Sequence, residues 1–162
     1  MIFLNFKKYN LLLFILFIFV GSCNYKPLIN KDQLDQLKIS NIEISGNKRI
    51  SQIIVNKLNI IKEKEGNFEL SVYGEKNTIV TNKSTSGKIL EYGLTLICSV
   101  EVKNNLTGKV IYSKKIVNSE NYKSSEMYSD TISDEKKIIE NLSNLIAKQI
   151  INEISLVLRN DT

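Results

Sequence analysis

The two cysteines carry the most reactive side chains of this 162-residue sequence, and their neighbours assign them opposite chemistry. Cys23 closes Val20-Gly21-Ser22-Cys23, where small residues follow the apolar run Leu11 to Val20, and Lys7 and Lys8 stand ahead of that run. A positive segment, about ten apolar residues against the ~20 that a spanning helix needs, and small residues before a cut are the parts of a secretory signal. The run has no polar face, so it does not read as the first helix of a folded domain. The Cys23 thiol is therefore expected at a processing site. Cys98, by contrast, alternates with Leu90, Tyr92, Leu94, Leu96, Val100 and Val102 on one face of a strand, where a thiol packs as a small apolar group.

Other chemistry is narrowed by what the chain lacks. The absence of histidine removes the Ser-His and Cys-His nucleophile systems and the commonest zinc ligand together. No Gly-x-Ser-x-Gly elbow, Walker loop or Gly-x-Gly-x-x-Gly turn occurs. Asp134 and Glu135 are adjacent carboxylates, but neighbours on a helix diverge by about 100°, so they read as first-turn charges favoured by the helix dipole. The expectation is a protein that is not an enzyme, with no catalytic residues, no metal ligands and no cofactor.

The ending Val20-Gly21-Ser22-Cys23 resembles the lipobox of bacterial lipoproteins. That resemblance implies a signal peptide over residues 1–22, cleavage before Cys23, a diacylglycerol on the Cys23 sulfur and usually a third acyl chain on its amine. One acyl chain binds a bilayer only marginally whereas two or more hold firmly, so the protein is expected to be anchored to a membrane without crossing it. By the same resemblance, Asn24 after the cysteine favours the outer membrane. With Cys23 acylated, Cys98 is the one thiol left and no disulfide forms within the chain.

Residues 23–162 number 140, the size of one domain and enough to bury a core. The precursor holds 22 Lys+Arg and 17 Asp+Glu; Lys7 and Lys8 leave with the signal, so the mature chain has 20 against 17, a net +3. This mild excess, in a chain crowded with Ile, Asn and Lys, is no nucleic-acid footprint, and an export signal argues against such a partner.

In order, Asn24 to Gln36 holds the single proline, Pro27, and reads as a tether over residues 23–36, leaving a single domain over 37–159. Leu37 to Ser45 alternates and ends at the turn signal Gly46-Asn47, which predicts a strand. Ile50, Ile53, Ile54, Leu58 and Ile61 recur at helical spacing and predict a helix to about Lys62. Phe68, Leu70 and Val72 alternate in a second strand extending to about Val80, and the polar run Thr81 to Lys88 reads as an exposed loop. Ile89 to Lys103 is the clearest strand, apolar on one face and polar on the other apart from Ile97, with Gly93 the expected site of a bend. Asn104 to Gly108 turns it into an antiparallel partner, Lys109 to Ser119, and after the polar stretch Glu120 to Thr131 a helix of some 25 residues starts at Ser133. Its stripe is Ile138, Ile139, Leu142, Leu145, Ile146, Ile150, Ile154 and Val157. These parts predict an α+β two-layer sandwich, order β-α-β-β-β-α, with two helices on one face of a four-stranded mixed sheet.

Cys23-Asn24-Tyr25-Lys26-Pro27-Leu28, the pattern Arg49-x-x-Gln52-x-x-x-Asn56-x-Leu58, the strand around Glu91-Tyr92, the segment Tyr122 to Ser129 and the long last helix together resemble the LPS-assembly lipoprotein LptE family, in particular its alphaproteobacterial branch. The resemblance spans nearly the whole mature chain, although Ser51 stands where the family pattern commonly has glycine. It implies two helices against a four-stranded sheet and an outer-membrane subunit of the LPS translocon. Such a subunit plugs and helps assemble a β-barrel partner of the LptD type and binds LPS. Lys83 and Lys88, on the polar loop before the long strand, are the candidate contacts for lipid A phosphates or core-sugar acids. The alternative is an outer-membrane lipoprotein with another envelope-assembly or structural role.

Overall fold

The computed structural model describes residues 37–160. The expected signal peptide, the Cys23 lipidation site and the tether lie outside the described residues. Six elements follow one another: β1 (Ile39–Gly46), α1 (Lys48–Leu58), β2 (Phe68–Lys83), β3 (Ile89–Asn104), β4 (Val110–Lys123) and α2 (Tyr128–Asn160). The strands form one sheet in the order β1-β2-β3-β4. β1 is parallel to β2, while β2, β3 and β4 run antiparallel in turn, so the sheet is mixed as the alternating patterns predict. Both helices lie on one side of it and touch each other.

The β1–α1 connection is fixed by small residues. Gly46 has φ +72°, and a Cβ there would collide with the Gly74 carbonyl. Asn47 N then donates to Gly74 O at 2.7 Å, and the Asn47 side chain caps α1 by accepting from Ile50 N. Ser51 is fully buried, its hydroxyl donating to Ser45 O at 2.8 Å above Gly74, which has no side chain to obstruct it. α1 stops at Leu58, short of the expected Lys62, because Asn59 adopts the left-handed conformation (φ 52°) that Asn tolerates at a helix end. Ile61 consequently leaves the apolar stripe and is 76% exposed.

The core lies between the layers. Leu70 and Val72 of β2 and Leu94, Leu96, Cys98, Val100 and Val102 of β3 meet Ile50, Ile54 and Leu58 of α1 and Leu142, Ile146, Ile150 and Ile154 of α2. Burial pushes the Cys98 thiol up to about 11, as befits the inert core group that its alternation predicts. Leu145, expected in the α2 stripe, is half exposed, since it is turned about 100° from its neighbour Ile146. Leu90, expected on the buried face of β3, is also exposed, one alternate position beyond Tyr92, whose ring stacks on Tyr122.

Three boundaries extend past the apolar patterns. β2 continues to Lys83, where backbone pairing with β3 persists through the polar Thr81, Asn82 and Lys83, and β4 continues to Lys123, where the same pairing is joined by the buried Tyr122 stacked on Tyr92. The loop expected from Thr81 thus shrinks to Ser84–Lys88. α2 starts at Tyr128, five residues before the expected Ser133, and runs for 33 residues. Thr131, buried in its first turn, accepts from Ser125 N at 2.9 Å and ties the incoming chain to the helix. The polar stretch Glu120 to Thr131 is therefore shared between β4 and α2. The β2–β3 register runs unbroken through Gly93 and shifts at Val80/Asn82/Lys83. The lack of a side chain at Gly93 lets Ile79, Thr81 and Asn121 close over the strand.

Candidate functional site

The helix-free face of the sheet is built by cross-strand rows, read from the register. Ser71, Glu101 and Ser113 form one row; Tyr73, Ser99 and Lys115 the next; then Glu75, Ile97 and Val117, followed by Asn77, Thr95 and Ser119. Thr95 and Ser119 share a hydrogen bond of 2.8 Å. A depression of about 220 Å³ opens at the first two rows, lined by Ser45, Ser71, Tyr73, Ser99, Val100, Glu101 and Ser113. Five of those seven carry hydroxyls and one is a carboxylate, so it offers donors and acceptors around one ring rather than an apolar pocket. Among the described residues no group of side chains is placed to hold a metal ion, and no helix is long and apolar enough to cross a membrane.

Two ion pairs tie the helix side of the sheet to α2. Lys76 pairs with Glu135 and Lys114 with Glu153, each at 2.6 Å. Glu153 also accepts from the Tyr112 hydroxyl (2.8 Å) and from Gln149 (3.1 Å). Burial opposes ionisation of Glu153, but the hydrogen bonds from Lys114, Gln149 and Tyr112 outweigh it and hold the carboxyl below its usual range. Burial, then the bond to Glu153, drives the Tyr112 phenol well above its own. Burial likewise pushes Tyr122 up to about 12. These phenols remain neutral core groups across the physiological range.

Lys83 and Lys88 are brought together at the tip of the β2–β3 hairpin. Ser84 N donates to Lys88 O (2.8 Å), Lys88 N to the Ser84 hydroxyl (3.0 Å) and Gly87 N to Ser84 O (2.9 Å), with Gly87 at φ +84° closing the turn. Both lysines are exposed, and neither is in an ion pair among the described residues. Lys123 ends β4 opposite Glu91, whose carboxylate accepts from Thr81. Thr95, Ser99 and Glu101 fall on the open face as the alternation of β3 predicts. Tyr73, Ser113, Ser45 and Lys115 were missed as their neighbours; the alternation within β2 and β4 carries each one's parity, but only the register brings them together.

No protein-family model matches the sequence, and no curated protein matches it. Solved structures share the fold: rare lipoprotein B from Shewanella oneidensis (TM-score 0.56, 16% identity) is matched over 74% of this chain and 97% of that one. A minor lipoprotein from Acinetobacter baumannii (TM-score 0.53, 15% identity) is matched over 74% of this chain and 92% of its own. Lipoprotein B from Nitrosomonas europaea (TM-score 0.54, 11% identity) is matched over 74% and 84%. The chain thus has the fold of several bacterial lipoproteins, at identities that establish the fold alone.

Proposed function

We propose that this protein is a lipid-anchored outer-membrane subunit of an LPS translocon, seated against the polar interior of a β-barrel and meeting LPS head groups, with no catalytic step of its own. The observation that carries this reading is the open sheet face, where rows of Ser, Thr, Asn and Glu stand across three strands. A carrier enclosing acyl chains needs a concave apolar pocket, whereas here the apolar faces of the sheet and both helices cover one another. The lipobox-like segment, the LptE-like pattern and a fold shared with bacterial lipoproteins support the same reading. The paired lysines at the hairpin tip suit phosphates of lipid A.

Photo-crosslinkers at Lys115 and Thr95 are expected to trap a β-barrel protein in intact cells, while one at Leu145, on the far side of α2, traps none. Normal surface LPS after depletion, with only lipid captured at all three positions, sinks the translocon reading. For the LPS contact, Lys83→Asp with Lys88→Asp is expected to weaken binding at low salt and to matter less once the Debye length falls from ~10 Å at 0.1 M to ~3 Å at 1 M. Unchanged affinity at low salt places the contact elsewhere on the protein.

A further inference from the structure

The sheet has a step on its β1 side. β1 is 8 residues long and β2 is 16, and their pairing ends at Gly46 opposite Gly74, where Gly46, at φ +72°, turns the chain into α1. From Glu75 onward β2 is paired on the β3 side only. Peptide groups along a strand point alternately to its two sides, and the bonds of β2 fix which is which. Phe68 N donates to Lys38 O (3.2 Å) and Gly74 O accepts from Asn47 N (2.7 Å), so even-numbered residues face the β1 side. Asn67 O accepts from Asn105 N (2.8 Å), so odd-numbered residues face β3. The β2–β3 register is unbroken from Phe68 to Val80 and carries this parity along. The backbone N–H and C=O groups of Lys76, Thr78 and Val80 therefore point into the lane that β1 has left, and no hydrogen bond reaches them among the described residues.

Native sheets blunt exposed edges with charge, proline or bulges. The edge strand β4 has Lys114 and Lys115 at its centre, and β1 has Glu43 and an irregular register between Ile39 and Asn41. Along the step, Asn77-Thr78-Ile79-Val80-Thr81 holds no charge and no proline, and the neighbouring Lys76 is drawn to Glu135 of α2 at 2.6 Å. Ile79 on the open face and Val80 on the helix side are 58% and 40% exposed. The register shift at Val80/Asn82/Lys83 ends the flat stretch before the hairpin tip. From Lys76 to Val80 this leaves about 14 Å of edge-on peptide with strand-forming side chains on both faces. An acyl chain has no groups to meet it, whereas an extended polypeptide has them at the same spacing.

We propose that an extended segment of the protein seated against the open face adds to the sheet here, as a strand in line with β1 that bonds Lys76, Thr78 and Val80. It continues the pairing that β1 makes with the same edge and packs aliphatic or β-branched side chains beside Ile79 and Val80. An added strand lies beside β2 in the plane of the sheet. The open face and the Lys83 and Lys88 tip therefore stay uncovered by it, and seating of that face in a barrel is undisturbed. The pairing rests on the barrel reading for the identity of the partner only.

The test uses the full chain in intact cells, with a photo-crosslinker at Val80 on the helix side of the sheet or at Lys115 on the open face. Both are expected to trap the same protein. Thr78→Pro removes one outward donor and leaves the β3 ladder intact. It is expected to cut the Val80 adduct at least about fivefold, the weight of one backbone hydrogen bond, with the Lys115 adduct unchanged. Thr78→Val keeps the N–H and the yield. Without any substitution, the amides of Lys76, Thr78 and Val80 are expected to exchange deuterium at least about tenfold faster than those of Asn77 and Ile79 in the purified chain, and to slow by as much in the gently extracted complex. Lipid, a second copy of this chain or a protein not trapped at Lys115 appearing at Val80 overturns the proposal. So does a Val80 yield that ignores Thr78→Pro or falls equally at Lys115, or edge amides that exchange alike in chain and complex. The same non-barrel protein at both positions overturns the translocon reading and leaves the added strand standing.

Discussion

β2 is two strands in one. From Phe68 to Gly74 its inward residues Leu70 and Val72 are sealed beneath the helices; from Glu75 to Lys83 every residue is exposed. Yet the same partner, β3, pairs with both halves. The first half is held by side-chain burial plus the backbone ladder, and the second by the ladder with little burial of its own. Burial of one large aliphatic group is worth about 1.5–3 kcal/mol, whereas a backbone hydrogen bond is worth about 1 kcal/mol net. The projecting half is therefore shaped by pairing but contributes little to global stability, leaving its side chains free for a partner.

The largest effect that distinguishes the halves is expected from Leu70→Ala, which should cost about 2–5 kcal/mol in denaturant unfolding with an unchanged m-value. A cost under about 1 kcal/mol would show that the first half is no better packed than the second. Next, Gly74→Ala places a Cβ 2.5 Å from the Ser51 hydroxyl oxygen and should cost about 1–3 kcal/mol. Ser51→Gly removes that oxygen, and in its background the Gly74 change should cost at least about 0.5 kcal/mol less; simple additivity would break the proposed contact.

Glu153→Gln tests the polar node behind β4 and should cost about 1 kcal/mol at pH 7. The Glu153 carboxyl is depressed in the fold, so its contribution is present above its unfolded value, ~4.3, and is lost as pH falls through the lower folded value. The parent should therefore lose more melting temperature than the variant on going from pH 5 to pH 3; parallel curves would remove the node from the account. The smallest effect is expected in the projecting half, where Ile79→Thr should change stability by less than about 0.5 kcal/mol. A loss above about 1 kcal/mol would mean that this ribbon is folded into the core after all.

The layer architecture was legible because its signals are local. The alternation Leu94, Leu96, Cys98, Val100, Val102 and the stripe Ile146, Ile150, Ile154 each encode one apolar face, and two such surfaces have few ways to cover each other. Element ends were less legible. α1 ends at Asn59 although Ile61 continues the helical spacing, because periodicity records which side chains share a face and not where the backbone turns.

The sequence by itself determined the candidate anchor, the order of elements and the inward face of β3, since each rests on residue type and spacing along a continuous stretch. Only the tertiary structure decided that Ser45, Ser71, Tyr73, Ser99, Glu101 and Ser113 line one depression, and that β1 leaves Lys76, Thr78 and Val80 on an open edge. Both depend on neighbouring strands, and the register that aligns them is set by backbone pairing, which a single strand's alternation does not specify.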